Sequence, residues 1–225
     1  RPGLAVPRAV KIYPPECIML KWIVVFAAAV LAAFLGVRLA LRRQSAGAPP
    51  RQDRTARLVR CGMIAAVYVV LCLALQPFSY GAVQVRLAEA LCLLPVFGAE
   101  YIVGVTLGCL LANALGSTVI DVVFGTLATL LACLVTWRLR SLRVRGLVLP
   151  AAVPPVVFNA LIVGWEISFF FSDTPATLPV TLFNMLTVGI GEVISCGVLG
   201  VALVKLIERN PALRRMFAAG QTHAA

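Results

Sequence analysis

The strongest restriction on this chain is a succession of apolar runs, several about as long as a bilayer is thick, separated by short gaps that hold most of its positive charge. A hydrocarbon core of about 30 Å takes about 20 helical residues to cross. Residues 22–41 read WIVVFAAAVLAAFLGVRLAL, and further apolar segments follow at about 58–77, 84–97, 99–115, 118–139, 150–172 and 177–207. With 61% hydrophobic and 13% charged residues, the composition is that of an integral membrane protein. The net charge of +11 invites a nucleic-acid partner, but its placement argues for a bilayer instead. Most of the 20 Lys and Arg residues fall in residues 38–60, 138–145 and 205–215, at the ends of apolar runs, where the positive-inside rule puts cytoplasmic loops.

These gaps divide the chain. Residues 1–18 show neither helical nor strand periodicity, and Met19 is the expected start, which makes 1–18 a leader. Residues 19–41 form an additional N-terminal transmembrane helix with no small-residue cleavage pattern before Arg42, so an anchor is favoured over a signal peptide. Residues 42–57 are a basic, Pro-containing linker, 58–207 a six-helix membrane domain, and 208–225 a cytoplasmic tail. Six crossings after the linker return all three basic clusters to one side, which five or seven would not. The segments at 84–97 and 99–115 are short for a full crossing.

Ionisable groups at membrane depth are expensive, so each is a candidate for function. Of nine acidic residues, Glu89, Asp121, Glu166 and Glu192 lie within apolar segments, as do Gln84, Arg86, Asn113, Asn159 and Asn184. The topology places Asn113, Asp121, Glu166 and Asn184 toward the outer face and Asn159 and Glu192 nearer the midplane. Arg86 and Glu89, at i and i+3, either satisfy each other as a salt bridge or face a ligand. The asparagines serve equally well as helix–helix hydrogen bonds. With Arg86 the fixed cation nearby, the cavity is net acidic and suits a cationic or donor-rich ligand. Tyr80 and Trp165 are aromatic candidates for stacking on it, although interfacial belts use the same residue types.

Several chemistries have no support. The seven cysteines include no Cys-x-x-Cys pair and the single histidine is His223, so neither a metal site nor a histidine-dependent centre is indicated, and no cofactor is implied. No phosphate-binding Gly-x-x-x-x-Gly-Lys-Ser/Thr, Gly-x-Ser-x-Gly or His-Glu-x-x-His occurs, so the expectation is a protein that is not an enzyme. In the first core helix Gly62 and Ala66, with Ala65 beside them, have the small-x-x-x-small spacing that lets another helix approach.

A set of motifs then resembles a known family. YGAVQVRLAEAL at 80–91, LPVF at 94–97, GCLLAN at 108–113, DVVFGTLAT at 121–129, NALIVG at 159–164 and GIGE at 189–192 are similar to the QueT family over about residues 58–207. The resemblance implies an all-α S-component, the substrate-binding subunit of an energy-coupling factor (ECF) transporter. Such a subunit works with a transmembrane T-component and two ATPase subunits, and this family is associated with queuosine precursors such as 7-aminomethyl-7-deazaguanine. S-components dock through small residues of their first helix, here Gly62, Ala65 and Ala66. The substrate-binding set is then Tyr80, Gln84, Arg86, Glu89, Asn113, Asp121, Asn159, Glu166, Asn184 and Glu192. Residues 1–57, with their additional helix, depart from the family's six-helix form. The alternatives are an S-component for another micronutrient, a stand-alone proton-coupled carrier using Glu89, Asp121 or Glu192 as a relay, and a membrane protein without a ligand.

Overall fold

In the computed structural model, residues 51–75, 86–172 and 175–218 are described; the leader, the additional helix at 19–41, Tyr80 and Gln84 lie outside them. The first helix, α1 (Arg51–Ala74), already begins inside the stretch read as linker. A 3-10 helix (Leu87–Val96) follows, then α2 (Glu100–Gly116), α3 (Val119–Arg138) and α4 (Leu149–Glu166), which continues into a π turn (Ile167–Phe171). Next, α5 (Leu178–Glu192) runs through a π-helical stretch (Val193–Gly200) into α6 (Val201–Arg209), and α7 (Pro211–Ala218) closes the described chain. The fold is all-α, with one isolated bridge between Val144 and Leu147 among the described residues. That bridge closes a turn in which Arg145 and Gly146 both have positive φ, 52° and 75°. A two-residue hairpin turn of this hand requires that geometry.

Four helical runs are long and apolar enough to cross a membrane: Thr55–Ala74, Val119–Arg138, Leu149–Phe171 and Leu178–Arg209. The other two expected crossings are shorter. With 17 residues, α2 is about 26 Å long, and the 3-10 helix, with 10 residues, about 20 Å. The 3-10 helix is also the most enclosed element, its residues buried from Ala88 through Val96. It touches α1, α2, α3, α4, the π stretch and α6. The segment read as short for a full crossing is therefore the axis around which the others pack.

Large apolar side chains such as Leu58, Val70, Leu115, Leu161 and Phe183 point outward, while Glu89, Glu166 and Glu192 are buried. That inversion is what a hydrocarbon solvent selects. Consecutive helices pack as neighbours, α1 on α2, α2 on α3, α3 on α4 and α4 on α5. Two of these contacts are backbone-close. Gly104 and Gly108 of α2 lie against Cys61 and Ala65 of α1, and Gly164 of α4 lies against the backbone of Met185. Pro155 within α4 has no N–H for the carbonyl of Ala151, and the Thr136 hydroxyl donates to that carbonyl instead at 2.9 Å. Buried backbone in a membrane demands such replacements.

Among the described residues, Arg60, Arg143 and the C-terminal helix lie toward one end of the bundle. There Arg60 faces Glu100 at 3.6 Å and Arg143 pairs with Glu208 at 2.7 Å. Tyr101 donates to the carbonyl of Phe217 at 3.0 Å, bringing the C-terminal helix to the same end. Arg140 stacks 4.5 Å above the Trp137 ring.

Candidate functional site

From the opposite end to the middle of the bundle, the polar residues converge. Thr118 caps α3 by accepting from the N–H of Asp121, and the Ser117 hydroxyl donates to the Asp121 carboxyl. Negative charge in a first helical turn also suits the helix dipole. Asn113, one turn before the end of α2, donates to the Asp121 carbonyl at 3.0 Å. Its amide is thus a helix–helix tie, and the room for it comes from Gly125. A Cβ there would stand 3.0 Å from Asn113 Nδ2 and 3.8 Å from the Arg86 guanidinium.

Arg86 precedes the 3-10 helix in extended backbone, with φ −88° and ψ 93°. The i, i+3 neighbour rule assumes both residues are helical, so the Arg86–Glu89 ion pair does not form. Instead Glu89 accepts from the Tyr68 hydroxyl at 2.5 Å and the Cys92 thiol at 2.8 Å. Arg86 lies where the charges of Glu89 and Asp121 both act on it. The charge of Arg86 acts in turn on Glu166 and Glu192, so one guanidinium serves four carboxyl groups.

Glu192 is the last residue of α5 before the π stretch, and Glu166 the last of α4 before the π turn. Breaks of this kind in α-helices concentrate at functional sites, because the wider turn re-aims a side chain. Glu192 lies beside Glu89, and the Cys196 thiol donates to the Glu89 carbonyl at 3.0 Å with Glu192 Oε2 at 3.4 Å. The Asn159 side chain stands within hydrogen-bonding reach of the Glu192 carboxyl. Glu166 is 0% exposed, and its carboxyl meets that of Asp121. Phe124, Trp165, Phe169 and Phe170 cluster with one another on α3, the end of α4 and its π turn, with Trp165 and Phe169 ring centroids 4.6 Å apart.

The structure therefore brings together Arg86, Glu89, Asn113, Asp121, Asn159, Glu166 and Glu192. Asn184 stands apart. It donates to Ser168 at 3.0 Å and Ser172 at 3.4 Å, joining α5 to the π turn. The small residues of α1 also divide. Ala65 is buried against Gly108, whereas Ala66 is exposed and a Cβ on Gly62 would meet nothing within 4 Å. Sequence reasoning missed Tyr68, Cys92 and Cys196. A tyrosine inside an apolar helix needs a hydroxyl partner, and that was the available signal. For the cysteines there was none, because in sequence a thiol reads as a small hydrophobe. Gly104 and Gly108 have the same small-x-x-x-small spacing noted in α1, and they seat Cys61 and Ala65 respectively.

Tyr68→Phe removes one donor from a sealed carboxyl without changing shape. The expected loss is about 1–3 kcal/mol in the stability of the purified protein. Thermal unfolding in detergent checks it, and an unchanged melting temperature would show that Glu89 is satisfied elsewhere.

Four long apolar helical runs, with large apolar side chains outside and carboxyl groups inside, are those of a multi-pass membrane protein. The family model described as QueT transporter matches residues 58–209. The chain belongs to the QueT transporter family, a family of transporters rather than enzymes. A curated relative, the queuosine precursor transporter QueT of Lactococcus lactis subsp. cremoris (strain MG1363), is 38% identical over 82 residues, 36% of this chain and 48% of the relative. The chain thus matches about half the length of that relative. No solved structure matches it.

Proposed function

We propose that this protein is the substrate-specificity subunit of an ECF-type importer, taking up a queuosine precursor such as 7-aminomethyl-7-deazaguanine. The observation that carries the reading is the sealed cluster of Asp121, Glu166, Glu89 and Glu192 about Arg86, reaching inward from the end opposite the basic clusters. With those clusters cytoplasmic by the positive-inside rule, the cluster lies toward the outer face. A flat cation with a donor-rich edge complements four carboxyl groups that share one guanidinium. The Lactococcus relative is described as a transporter of such precursors. In this reading the S-component bundle has six membrane segments, two of them too short to span alone, and the T-component and two ATPases supply the energy.

Recovery with a T-component and two ATPases, with a deazaguanine extracted from the preparation, supports the proposal; recovery of the protein alone and empty counts against it. Gly62 and Ala66 face outward on α1, where a partner helix would dock. Gly62→Leu combined with Ala66→Leu is expected to leave ligand binding within about twofold of wild type while reducing uptake at least about tenfold. Equal uptake by this variant would remove α1 from the docking surface.

A second reading has its own observation. Glu89 and Glu192 lie side by side with the Cys196 thiol within reach of both residues, an arrangement able to hold and pass a proton in a stand-alone carrier. Uptake that persists without the ATPases and collapses with an uncoupler would establish it.

A further inference from the structure

We infer that the end of the bundle carrying Arg143 and the C-terminal helix is a headgroup surface, built to hold the phosphodiesters of anionic phospholipids. This surface is on the outside of the bundle and stands apart from whatever the interior binds. Residues 138–145 and 201–218 hold eight Arg and Lys residues against one acid, Glu208. That acid is already paired with Arg143 at 2.7 Å, a contact that also fastens the turn between α3 and α4 to α6. A surface with this balance attracts anions.

Charge alone fits any anion, and the local structure narrows the choice. The turn reads SLRVRGL at 141–147, with Leu142, Arg143, Val144 and Arg145 all exposed. Arg145 and Gly146 form its tip, closed by the Val144–Leu147 bridge. So short a turn leaves Leu142 and Val144 half-exposed, interleaved with two guanidinium groups. The C-terminal helix α7 repeats the pattern. Asn210 caps it, Oδ1 accepting from the N–H of Ala212 at 2.9 Å, and Pro211 opens it. Leu213 and Phe217, four residues apart, pack on the core, with the Phe217 ring centroid 5.8 Å from that of Tyr101. Arg214, Arg215 and Met216 are left exposed.

An inorganic anion offers the half-exposed Leu142, Val144 and Met216 nothing. The boundary of a bilayer serves both kinds of side chain at once: apolar groups enter the acyl region, and arginine stems follow them while the guanidinium groups reach phosphate. Clusters of about four to eight cations directly at the ends of membrane helices are the pattern that attracts anionic lipid. Arg140 is already set for such a contact. Its Nη1 donates to the Trp137 carbonyl at 3.0 Å and its guanidinium stacks on the Trp137 ring, so less freedom is lost when a phosphate binds.

The test reconstitutes the full chain into vesicles of equal parts phosphatidylglycerol and phosphatidylcholine, extracts it again in mild detergent and weighs the retained lipids by mass spectrometry. Wild type is expected to retain phosphatidylglycerol over phosphatidylcholine by at least about threefold. Arg145→Asn combined with Arg214→Gln and Arg215→Gln should bring that ratio within about 1.5-fold of the vesicle's. Asparagine is used at the tip because it accepts a positive φ. Leu142→Ser combined with Val144→Ser keeps every charge and should lower the enrichment by about twofold. A wild-type ratio equal to the vesicle's overturns the inference, and is the outcome expected of a rim reserved for an acidic protein partner. A wild-type ratio retained by either variant overturns it too, because the lipid is then selected elsewhere. Thermal unfolding with inorganic phosphate is the remaining arm: stabilisation equal to that given by phosphatidylglycerol marks a site for free anions and overturns the lipid assignment. If the triple variant cannot be extracted folded, Arg214→Gln alone is read by the same ratio.

Discussion

Arg86→Met is expected to abolish ligand binding and to destabilise the purified protein by about 3–5 kcal/mol. The guanidinium is set where the charges of Glu89 and Asp121 act on it directly, and its own charge acts on Glu166 and Glu192. Removing it leaves four buried carboxyls with no counter-charge among the described groups that act on them. The burden falls on the 3-10 helix, whose buried residues touch almost every other element. Arg86→Lys should recover part of the stability but less of the binding, since a point charge cannot reproduce the planar fork. Adding Glu192→Gln to Arg86→Met should restore about 1 kcal/mol or more, because these sites are coupled and the second change removes a like charge. Thermal unfolding of the four proteins in one detergent checks the series. A wild-type melting temperature for Arg86→Met would show that the carboxyls are neutral without it.

Gly164→Ala is the second large effect expected, and its cause is steric. A Cβ at this position would stand 2.6 Å from Met185 Cα and 2.9 Å from Met185 N, both backbone atoms that cannot rotate away. To admit it, α4 and α5 must separate, and cores resist such overpacking by about 1–3 kcal/mol. The separation also strains the Asn184 bonds to Ser168 and Ser172 and displaces Glu166, two residues along α4. Ligand affinity should therefore fall together with stability. Gly62→Ala is the matched control, because a Cβ there meets nothing within 4 Å. It should change stability by no more than about 0.5 kcal/mol. Equal melting temperatures for Gly164→Ala and wild type would show that the two helices have slack.

Membrane-protein sequences advertise some features and conceal others, and Glu89 shows both. Its position in an apolar segment marked it at once as a buried charge, because no other solvent makes such a residue so costly. Its partners were hidden. Spacing suggested Arg86, but that rule describes two residues on one helix, and Arg86 lies in extended backbone. The bonds that do form reach Tyr68, 21 residues away in the chain, and Cys92. Asn184 was concealed in a different way. Its depth matched that of the ligand candidates, yet depth along the membrane normal says nothing about which way a side chain turns about its helix.

The 3-10 helix was hidden as well. LAEALCLLPV has the composition of any short apolar helix, and only its length hinted that it would not span. It can be tightly wound and enclosed because six neighbouring elements shield its backbone from lipid, the condition under which irregular structure survives at membrane depth.

By itself, the sequence determined that the chain has the run lengths and composition of a membrane protein, where its basic gaps fall, and which polar side chains lie inside its apolar segments. These follow from one-dimensional quantities: run length, charge placement, and the cost of polar atoms in hydrocarbon. The tertiary structure alone decided which partners those polar atoms find. Hydrogen bonds require distances and angles between residues far apart in the chain, as between Glu89 and Tyr68 or Asn184 and Ser168.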